Sequence, residues 1–240
     1  MTKDPLLARA RGVWQELASA PVAFGTEGDV RVVASPGSRL GPPGWVGVVV
    51  LGGAAVVTAP TQDVADRIRA AVAGLPAAGL SDPGPIAKAL PVGRVLGPAA
   101  LAYVSGAGFR PVAADGLSVE QLPGGHPELT DLERAAGAED AGEAGLDEIT
   151  SPAFAVRVDG RIAAASGYRR WPARTAHLAV LTAPDRRGLG LARAAGSAAV
   201  RHALARDLLP QWRARVPASR RVAAGLGFVE LGFQLSVEPT

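Results

Sequence analysis

Residues 176–195, AHLAVLTAPDRRGLGLARAA, constrain the fold of this chain more than any other segment. An apolar run is followed by Pro184, a basic glycine-rich stretch and a helix-forming sequence. This order predicts a buried strand, a turn, and a helix that begins directly after the glycines. The first N–H groups of a helix have no partner within it, and the helix dipole adds partial positive charge there. The segment therefore predicts an anion site for a phosphate or pyrophosphate.

Two glycines and two arginines give this predicted site its chemistry. Gly188 and Gly190 allow a ligand to approach the backbone closely, and Arg186 and Arg187 add full charges. The stretch is not a dinucleotide fingerprint, because Arg193 stands where a third small residue is required, and no Gly-Lys-Ser/Thr follows as in a Walker loop. A tight strand-to-helix turn that needs glycine for steric reasons is an equal alternative at this point.

Composition excludes several classes of protein. Nearly half of the 240 residues are hydrophobic, which suffices for one or two domains. The chain has no cysteine, so it has no disulfide and no thiolate metal site, and its histidines lack partners at ligand spacing, so we predict no metal. A net charge of +3 with 5% aromatic residues argues against a nucleic-acid partner, although arginines cluster at 169–174 and 213–221.

The N-terminal residues and the longest apolar run predict the cellular location of the protein. The first residues carry charge throughout and lack the apolar core of a secretory signal. The apolar run at residues 45–58 is too short and too rich in glycine to span a membrane. We therefore predict a cytoplasmic protein without a membrane partner.

The pattern of strands and helices predicts two domains, residues 1–112 and 113–240. The first is predicted to be a smaller α/β domain, and a degenerate copy of the second domain's fold is one alternative for it. The second alternates strands and helices, which predicts an α/β domain with a mixed sheet and helices on both faces. Its predicted strands cover 118–122, 154–158, 161–168, 176–182, 211–215 and a strand pair within 228–237; its predicted helices cover 128–136, 141–146, 188–207 and 218–226.

The glycine-rich stretch resembles the acetyl-CoA pyrophosphate loop of the GCN5-related N-acetyltransferase (GNAT) superfamily, whose pattern is Gln/Arg-x-x-Gly-x-Gly/Ala. The window 185–190 contains both glycines but begins with Asp185. The window 187–192 matches every position but lies two residues further on. We adopt the first window, because it places the Pro184 turn and the start of the helix as in the family.

Further matches lie downstream, and together the resemblance covers about residues 117–237. The sequences PASRRVA and GLGF, between residues 217 and 228, resemble the closing helix of the family and its Leu-Gly-Phe turn. The sequence LLPQW at 208–212 resembles the branch related to zwittermicin A resistance acetyltransferases.

The resemblance implies an α/β GNAT fold for residues 113–240 and an acetyl-CoA-dependent N-acetyltransferase. The enzyme would transfer the acetyl group to a small-molecule amine by direct attack, and a homodimer is compatible with the sequence. The alternative function is a non-catalytic acyl-CoA-binding sensor or scaffold. The residues that the resemblance assigns to acetyl-CoA are Val180, Leu181, Thr182, Arg186, Arg187, Gly188, Leu189, Gly190, Leu191 and Ala192.

The acid and base of the reaction are harder to identify. Where many family members carry a glutamate on the central strand, this chain has Ala176 and His177, and Ala223 replaces a tyrosine acid. His177 is the candidate base, because an unperturbed histidine titrates near neutral pH. The alternative for His177 is a partly buried strand histidine bonded to a neighbouring carbonyl.

Four other residues are candidates on the acceptor side. Glu143 and Glu148 flank it in the family layout, and we name both as catalytic candidates, with solvated carboxylates as the alternative. Tyr168 and Trp171 follow the predicted hairpin and are candidates for walls of the acceptor pocket, with ordinary core aromatics as the alternative.

Overall fold

Two groups of helices and strands make up the chain, which a computed structural model describes over residues 4–112 and 117–240. The first unit contains the described residues up to Ala102 together with Glu230–Thr240, and the second runs from Tyr103 to Val229. The predicted boundary between residues 112 and 113 adjoins 113–116, which lie outside the described residues. The division into domains at that point stays a prediction.

The first unit is a five-stranded mixed sheet with helices. Strand β1 pairs with β3 in parallel, whereas β2 pairs with both β3 and β10 in antiparallel fashion. The hairpin between β2 and β3 turns at Gly52 and Gly53, which both have positive φ, as their Gly-Gly sequence indicates. The elements are α1 (Pro5–Ala18), β1 (Val30–Ala34), β2 (Val46–Leu51), β3 (Ala54–Ala59), α2 (Gln62–Ala71), a 3-10 helix (Ala77–Ser81), α3 (Gly84–Ala89), β4 (Val92–Tyr103) and, from the chain end, β10 (Val229–Pro239).

The second unit is a five-stranded sheet in the order β9-β8-β7-β6-β5. Strands β8 and β9 are parallel, and the other pairs are antiparallel. The elements are β5 (Val119–Leu122), α4 (Pro127–Ala136), α5 (Ala138–Ala144), a 3-10 helix (Leu146–Glu148), β6 (Ala153–Val158), β7 (Arg161–Trp171), β8 (Thr175–Thr182), a 3-10 turn (Pro184–Arg186), α6 (Leu191–Leu204), β9 (Leu209–Ala214) and α7 (Pro217–Gly225). None of the helices in the described residues is long and apolar enough to cross a membrane.

Helices cover both faces of this sheet. Neighbouring residues of a strand point to opposite faces, so β6 supplies one residue to each core. Ala155 packs in a cluster with Leu132 of α4, and Val156 packs in another with Ala195 of α6. The predicted fold class, a mixed α/β sheet with helices on both faces, is therefore confirmed.

The helix after the glycine-rich loop is shorter than predicted. It covers Leu191–Leu204 rather than 188–207. Gly188 and Gly190 have φ of +80° and +79°, and Asp207 has a φ of +54°, so none of them continues a right-handed helix. The predicted strand pair within 228–237 is also wrong, because these residues lie in the single strand β10.

Close packing fixes α6 against β9 and α7. A Cβ at Gly196 of α6 would lie 3.3 Å from Leu226 Cδ1 and 3.5 Å from the Trp212 ring. The Trp212 indole meets Phe228 edge-on at 5.4 Å and donates a hydrogen bond of 2.9 Å to Ser219 Oγ. Because these contacts leave little free space, the starts of α6 and α7 are held in fixed positions.

Gly227 provides a test of this packing. It has a φ of +89°, and a Cβ there would lie 2.0 Å from the Gly108 carbonyl oxygen. We expect Gly227→Ala to destabilise the protein by at least about 2 kcal/mol, which lowers Tm by at least about 4 °C in a thermal unfolding scan. Gly106→Ala is the control, because no atom lies within 4 Å of a Cβ at that position. Equal Tm values for both variants would contradict the described turn.

Candidate functional site

A cavity of about 620 Å³ lies in the second unit, next to the glycine-rich loop. Its walls come from α5, from the second half of β8, from the loop and first turn of α6, and from β9 with the first turns of α7. The segment that the sequence marked as an anion site thus forms one wall of a larger enclosure.

The cavity opens because β8 and β9 pair over only three positions. The parallel ladder consists of Thr175–Leu209, Ala176–Pro210 and His177–Gln211. Beyond it, β8 continues to pair with β7 as far as Thr182. The later residues of β8 and β9 line the cavity instead of pairing with each other.

The backbone of β8 directs hydrogen-bond donors toward this opening. The N–H of Ala183 donates to the carbonyl of Ala163 at 2.9 Å, which fixes the alternation of the β7–β8 ladder. By that alternation, the N–H groups of Val180 and Thr182 point away from β7, toward the side where β9 has diverged. The Oγ1 of Thr182 is buried and has no hydrogen-bond partner within the described part of the chain. The backbone donors of Val180 and Thr182 suit a ligand with hydrogen-bond acceptors on this side of the cavity.

The glycine-rich loop forms an open cradle at the start of α6. No atom lies within 4 Å of a Cβ built at Gly188 or Gly190, so any side chain there would occupy free space in the cradle. Gly190 is the N-cap of α6, no side chain caps the helix, and its first turn has no acidic residue. The helical hydrogen bonds begin with the N–H groups of Arg193 and Ala194, which donate to the Gly190 carbonyl. The preceding N–H groups are therefore placed to bind an anion.

The charge of the cavity favours an anionic ligand. Five arginines and two carboxylates line it: Arg187, Arg193, Arg213, Arg215 and Arg221, with Asp140 and Glu143. Both carboxylates belong to α5 and bind arginines of opposite walls. Asp140 pairs with Arg187 at 2.6 Å, and Glu143 binds Arg215 through two hydrogen bonds of 3.1 and 2.5 Å. The remaining excess of positive charge suits a ligand with several phosphate charges.

Two of these arginines have shifted pKa values. Desolvation lowers the pKa of Arg213, and the neighbouring Arg215 lowers it further, while Glu143 acts in the opposite direction. The hydrogen bonds that Arg215 donates to Glu143 raise the pKa of Arg215.

Most of the predicted acetyl-CoA residues line the cavity. Those that do are Val180, Leu181, Thr182, Arg187, Gly188, Gly190 and Ala192. The other three have different surroundings. Arg186 bonds Asp159 at 3.1 Å, the Leu189 side chain is 58% exposed, and Leu191 is buried in the core beneath α6.

The two candidate carboxylates differ in position. Glu143 lines the cavity. Glu148 pairs with Arg169 at 2.5 Å and is not among the cavity residues. Only Glu143 is therefore placed to contact a ligand in this cavity.

His177 lies at the last paired position of β8, just before the strands separate. Its Nδ1 is 2.5 Å from Gln211 Oε1, and its ring stacks on Trp171 with centroids 4.1 Å apart. Burial, reinforced by Arg213, lowers the pKa of His177 to about 3. His177 is therefore neutral at pH 7, and it is not among the residues that line the cavity.

The two candidate aromatic residues pack in the sheet. Tyr168 is fully buried, and its hydroxyl bonds His202 Nδ1 at 3.0 Å. Trp171 stacks on His177. Neither is a cavity residue, so the alternative named for them, core aromatics, describes their surroundings better.

The sequence analysis did not assign six charged or hydroxyl-bearing residues of the cavity: Asp140, Arg193, Arg213, Arg215, Ser219 and Arg221. The arginine cluster at 213–221 was the available signal, but sequence alone does not show that it faces the glycine-rich loop. Among the residues that the structure describes, no group of histidine and acidic side chains is placed to hold a metal ion.

The comparison with known families matches this part of the chain. Residues 154–232 match the profile of the GNAT acetyltransferase family. This range includes β8, the glycine-rich loop, α6, β9 and α7. The matched range covers about a third of the chain's length. The branch related to zwittermicin A resistance stays a prediction.

Several solved structures resemble the chain. An acetyltransferase assigned to the GNAT family from Novosphingobium aromaticivorans is 25% identical, with a TM-score of 0.47, over 61% of this chain and 65% of that one. A GNAT-family acetyltransferase from Colwellia psychrerythraea is 17% identical, with a TM-score of 0.47, over 62% and 58%. A GCN5-related N-acetyltransferase-like protein from Streptococcus suis is 17% identical, with a TM-score of 0.45, over 63% and 65%.

The chain therefore covers less than two thirds of each of these three proteins. No curated protein matches it.

The ion pair between Asp140 and Arg187 predicts competition with a bound anion. Asp140→Asn removes a negative charge from the cavity and releases Arg187, so we expect inorganic pyrophosphate to bind up to about fivefold more tightly. The gain should shrink as ionic strength rises. Asp131→Asn, which breaks the exposed pair with Arg134 outside the cavity, is the control. Calorimetric affinities that are equal or weaker in Asp140→Asn would exclude this competition.

Proposed function

We propose that the protein is an acetyl-CoA-dependent N-acetyltransferase that acts on a small-molecule amine. One observation supports the proposal most strongly. A cationic cavity between diverging strands adjoins a helix start that has no side-chain cap and an open glycine cradle. The strands, the loop and the helix lie in the range that matches the GNAT acetyltransferase family. Each part of this arrangement has a use in binding a pyrophosphate-linked thioester.

The residues present fit acetyl-CoA. The pyrophosphate would bind the first N–H groups of α6, with Gly188 and Gly190 allowing close approach and Arg187 adding charge. The less polar chain that leads to the thioester would extend between β8 and β9, where Leu178 and Trp212 supply apolar walls.

Acetyl-CoA supplies the activated acetyl group, and the protein supplies position and polarity. A held donor and acceptor react as an intramolecular pair, which lowers the barrier by several kcal/mol. The N–H groups of β8 that face the opening are placed to stabilise negative charge on a carbonyl oxygen, an effect that grows toward the transition state.

An amine must lose a proton before it attacks, and this chain offers two side chains for that step. Glu143 lies in the cavity, where Arg215 holds its carboxylate. His177 is neutral, so its ring can accept a proton, but its low pKa makes it a weak base. We retain both as proposed bases, and their variants distinguish between them.

The cofactor site is tested by filling the cradle. Gly190→Glu places a bulky, negative side chain at a left-handed backbone position in the cradle. Acetyl-CoA should raise the Tm of the wild-type protein, because it binds the native state, and this shift should vanish in Gly190→Glu. Gly106→Glu carries the same charge change in open space away from the cavity and should keep the shift.

An undiminished shift in folded Gly190→Glu would exclude the proposed cofactor position. Release of free CoA over a panel of amines then tests catalysis. Binding of acetyl-CoA without turnover across the panel would favour the acyl-CoA sensor instead.

The base is tested with His177→Ala. If His177 accepts the proton, turnover should fall about 10²-fold or more, while the affinity for acetyl-CoA stays unchanged. Because its pKa is about 3, His177 stays unprotonated above about pH 4, so it should cause no loss of wild-type activity between pH 8 and pH 5. His126→Asn, which keeps a helix-capping residue outside the cavity, is the control.

Turnover of His177→Ala within about threefold of wild type would assign His177 to packing against Trp171. In that case we expect the fall in turnover of about 10²-fold or more in Glu143→Gln instead.

A further inference from the structure

Helix α5 forms part of the cavity wall but contributes little to the hydrophobic core. Each of its seven residues, Ala138–Ala144, is exposed or half-buried. The elements on either side are anchored, because Leu132 of α4 and Leu146 after α5 are both buried in one core cluster. From α5 itself, the half-buried Ala144 packs against that cluster. Since apolar burial is what usually fixes a helix to its domain, α5 is held less firmly than its neighbours.

A glycine with positive φ flanks α5 on each side. Gly137 has a φ of +89° and Gly145 a φ of +62°. No atom lies within 4 Å of a Cβ built at either position, so packing does not fix these two residues. Their N–H groups end the two helices, because Gly137 donates to the carbonyl of Glu133 in α4 and Gly145 to that of Ala141 in α5. The helix α5 can therefore turn as a unit about its two flanking glycines.

Two ion pairs connect α5 to opposite walls of the cavity. Asp140 and Glu143 are three residues apart on the helix, so both side chains lie on the face that lines the cavity. Asp140 pairs with Arg187 at 2.6 Å, directly before Gly188 of the cradle. Glu143 binds Arg215, after β9, through hydrogen bonds of 3.1 and 2.5 Å. The helix is thus tied to the loop on one side and to the end of β9 on the other.

These ion pairs are of a kind that a charged ligand can replace. Their four side chains are between 39% and 51% exposed. Ion pairs this exposed contribute little to stability, and salt screens them. Because Arg187 adjoins the glycine cradle, a phosphate group bound there offers its guanidinium more negative charge than the single carboxylate of Asp140 does.

We propose that α5 is a strap over the cavity, tied to both walls by its two ion pairs and released at the Asp140 end when a phosphate-bearing ligand binds Arg187. The inference rests on the proposed function in one respect, that the cavity takes an anionic donor. It adds that the donor opens the cavity wall as it binds, whereas a ligand that only fills a site makes the surrounding residues more rigid.

A single spin label on α5 tests the strap. The chain has no cysteine, so one introduced cysteine reports on α5 alone. Gly142→Cys places it on α5 outside the cavity, where a Cβ meets no atom within 4 Å. A nitroxide attached there gives an EPR line shape that separates mobile from immobile populations of the helix.

We expect saturating inorganic pyrophosphate to raise the ratio of mobile to immobile label at least about threefold, since it removes one of two weak ion pairs. Calorimetry establishes the saturating concentration. An unchanged or less mobile spectrum at saturation would overturn the proposal, and so would a failure of pyrophosphate to bind.

Variants of the labelled protein show whether the ion pair is responsible. Asp140→Asn should be mobile without any ligand, and pyrophosphate should then add no further change. Glu143→Gln frees the other end of α5, so it should also be more mobile, but pyrophosphate should still raise its mobility. Asp131→Asn, which breaks the exposed pair with Arg134 in α4, is the control and should behave as the labelled parent does. A pyrophosphate effect that persists in Asp140→Asn would refute release through Arg187.

Acetyl-CoA separates this proposal from the proposed function. If acetyl-CoA does not bind but pyrophosphate mobilises the label, the proposed function fails and the strap stands. If acetyl-CoA is consumed with an amine and neither ligand mobilises the label, the proposed function stands and the strap is refuted.

Discussion

The candidate site depends on one feature of the backbone: β8 and β9 separate after the pair His177–Gln211. Up to that pair the strands form a parallel ladder, and beyond it β8 stays paired only with β7. The separation opens the cavity and turns the N–H groups of Val180 and Thr182 toward it. It also leaves room for the starts of α6 and α7 to line the same space. The binding surface is therefore a consequence of sheet geometry and is preorganised without a ligand.

The charges that line the cavity determine which class of ligand suits it. The arginines of the cavity outnumber its carboxylates, and both carboxylates, Asp140 and Glu143, come from the short helix α5. This helix has no buried residue and lies between Gly137 and Gly145, which both have positive φ. Its two ion pairs bind arginines of opposite walls, Arg187 and Arg215. An anionic ligand must share or replace these ion pairs. Its measured affinity therefore reflects the arginine–ligand contacts that form minus the arginine–carboxylate contacts that are lost.

The sequence predicted the strand, the loop and the helix of the proposed anion site, because their signals are local. A strand, a proline, two glycines and a helix within twenty residues determine the loop, and the chain could adopt few other structures there. The start of α6 was misplaced, because the left-handed conformation of Gly188 and Gly190 delays the helix. The presence of Arg213 and Arg221 in the cavity was not predicted, because it depends on where β9 and α7 lie relative to the loop. The burial of His177 likewise comes from its neighbours in space rather than from its neighbours in sequence.

We propose that the diverging strands and the start of α6 together bind the pantetheine and pyrophosphate of CoA. A crystal structure of the full chain with CoA is the decisive measurement. We expect pyrophosphate oxygens within about 3 Å of the first N–H groups of α6, and pantetheine between Leu178 and Trp212. CoA bound elsewhere on the chain, or a pyrophosphate held only by side chains away from Gly188 and Gly190, would contradict it.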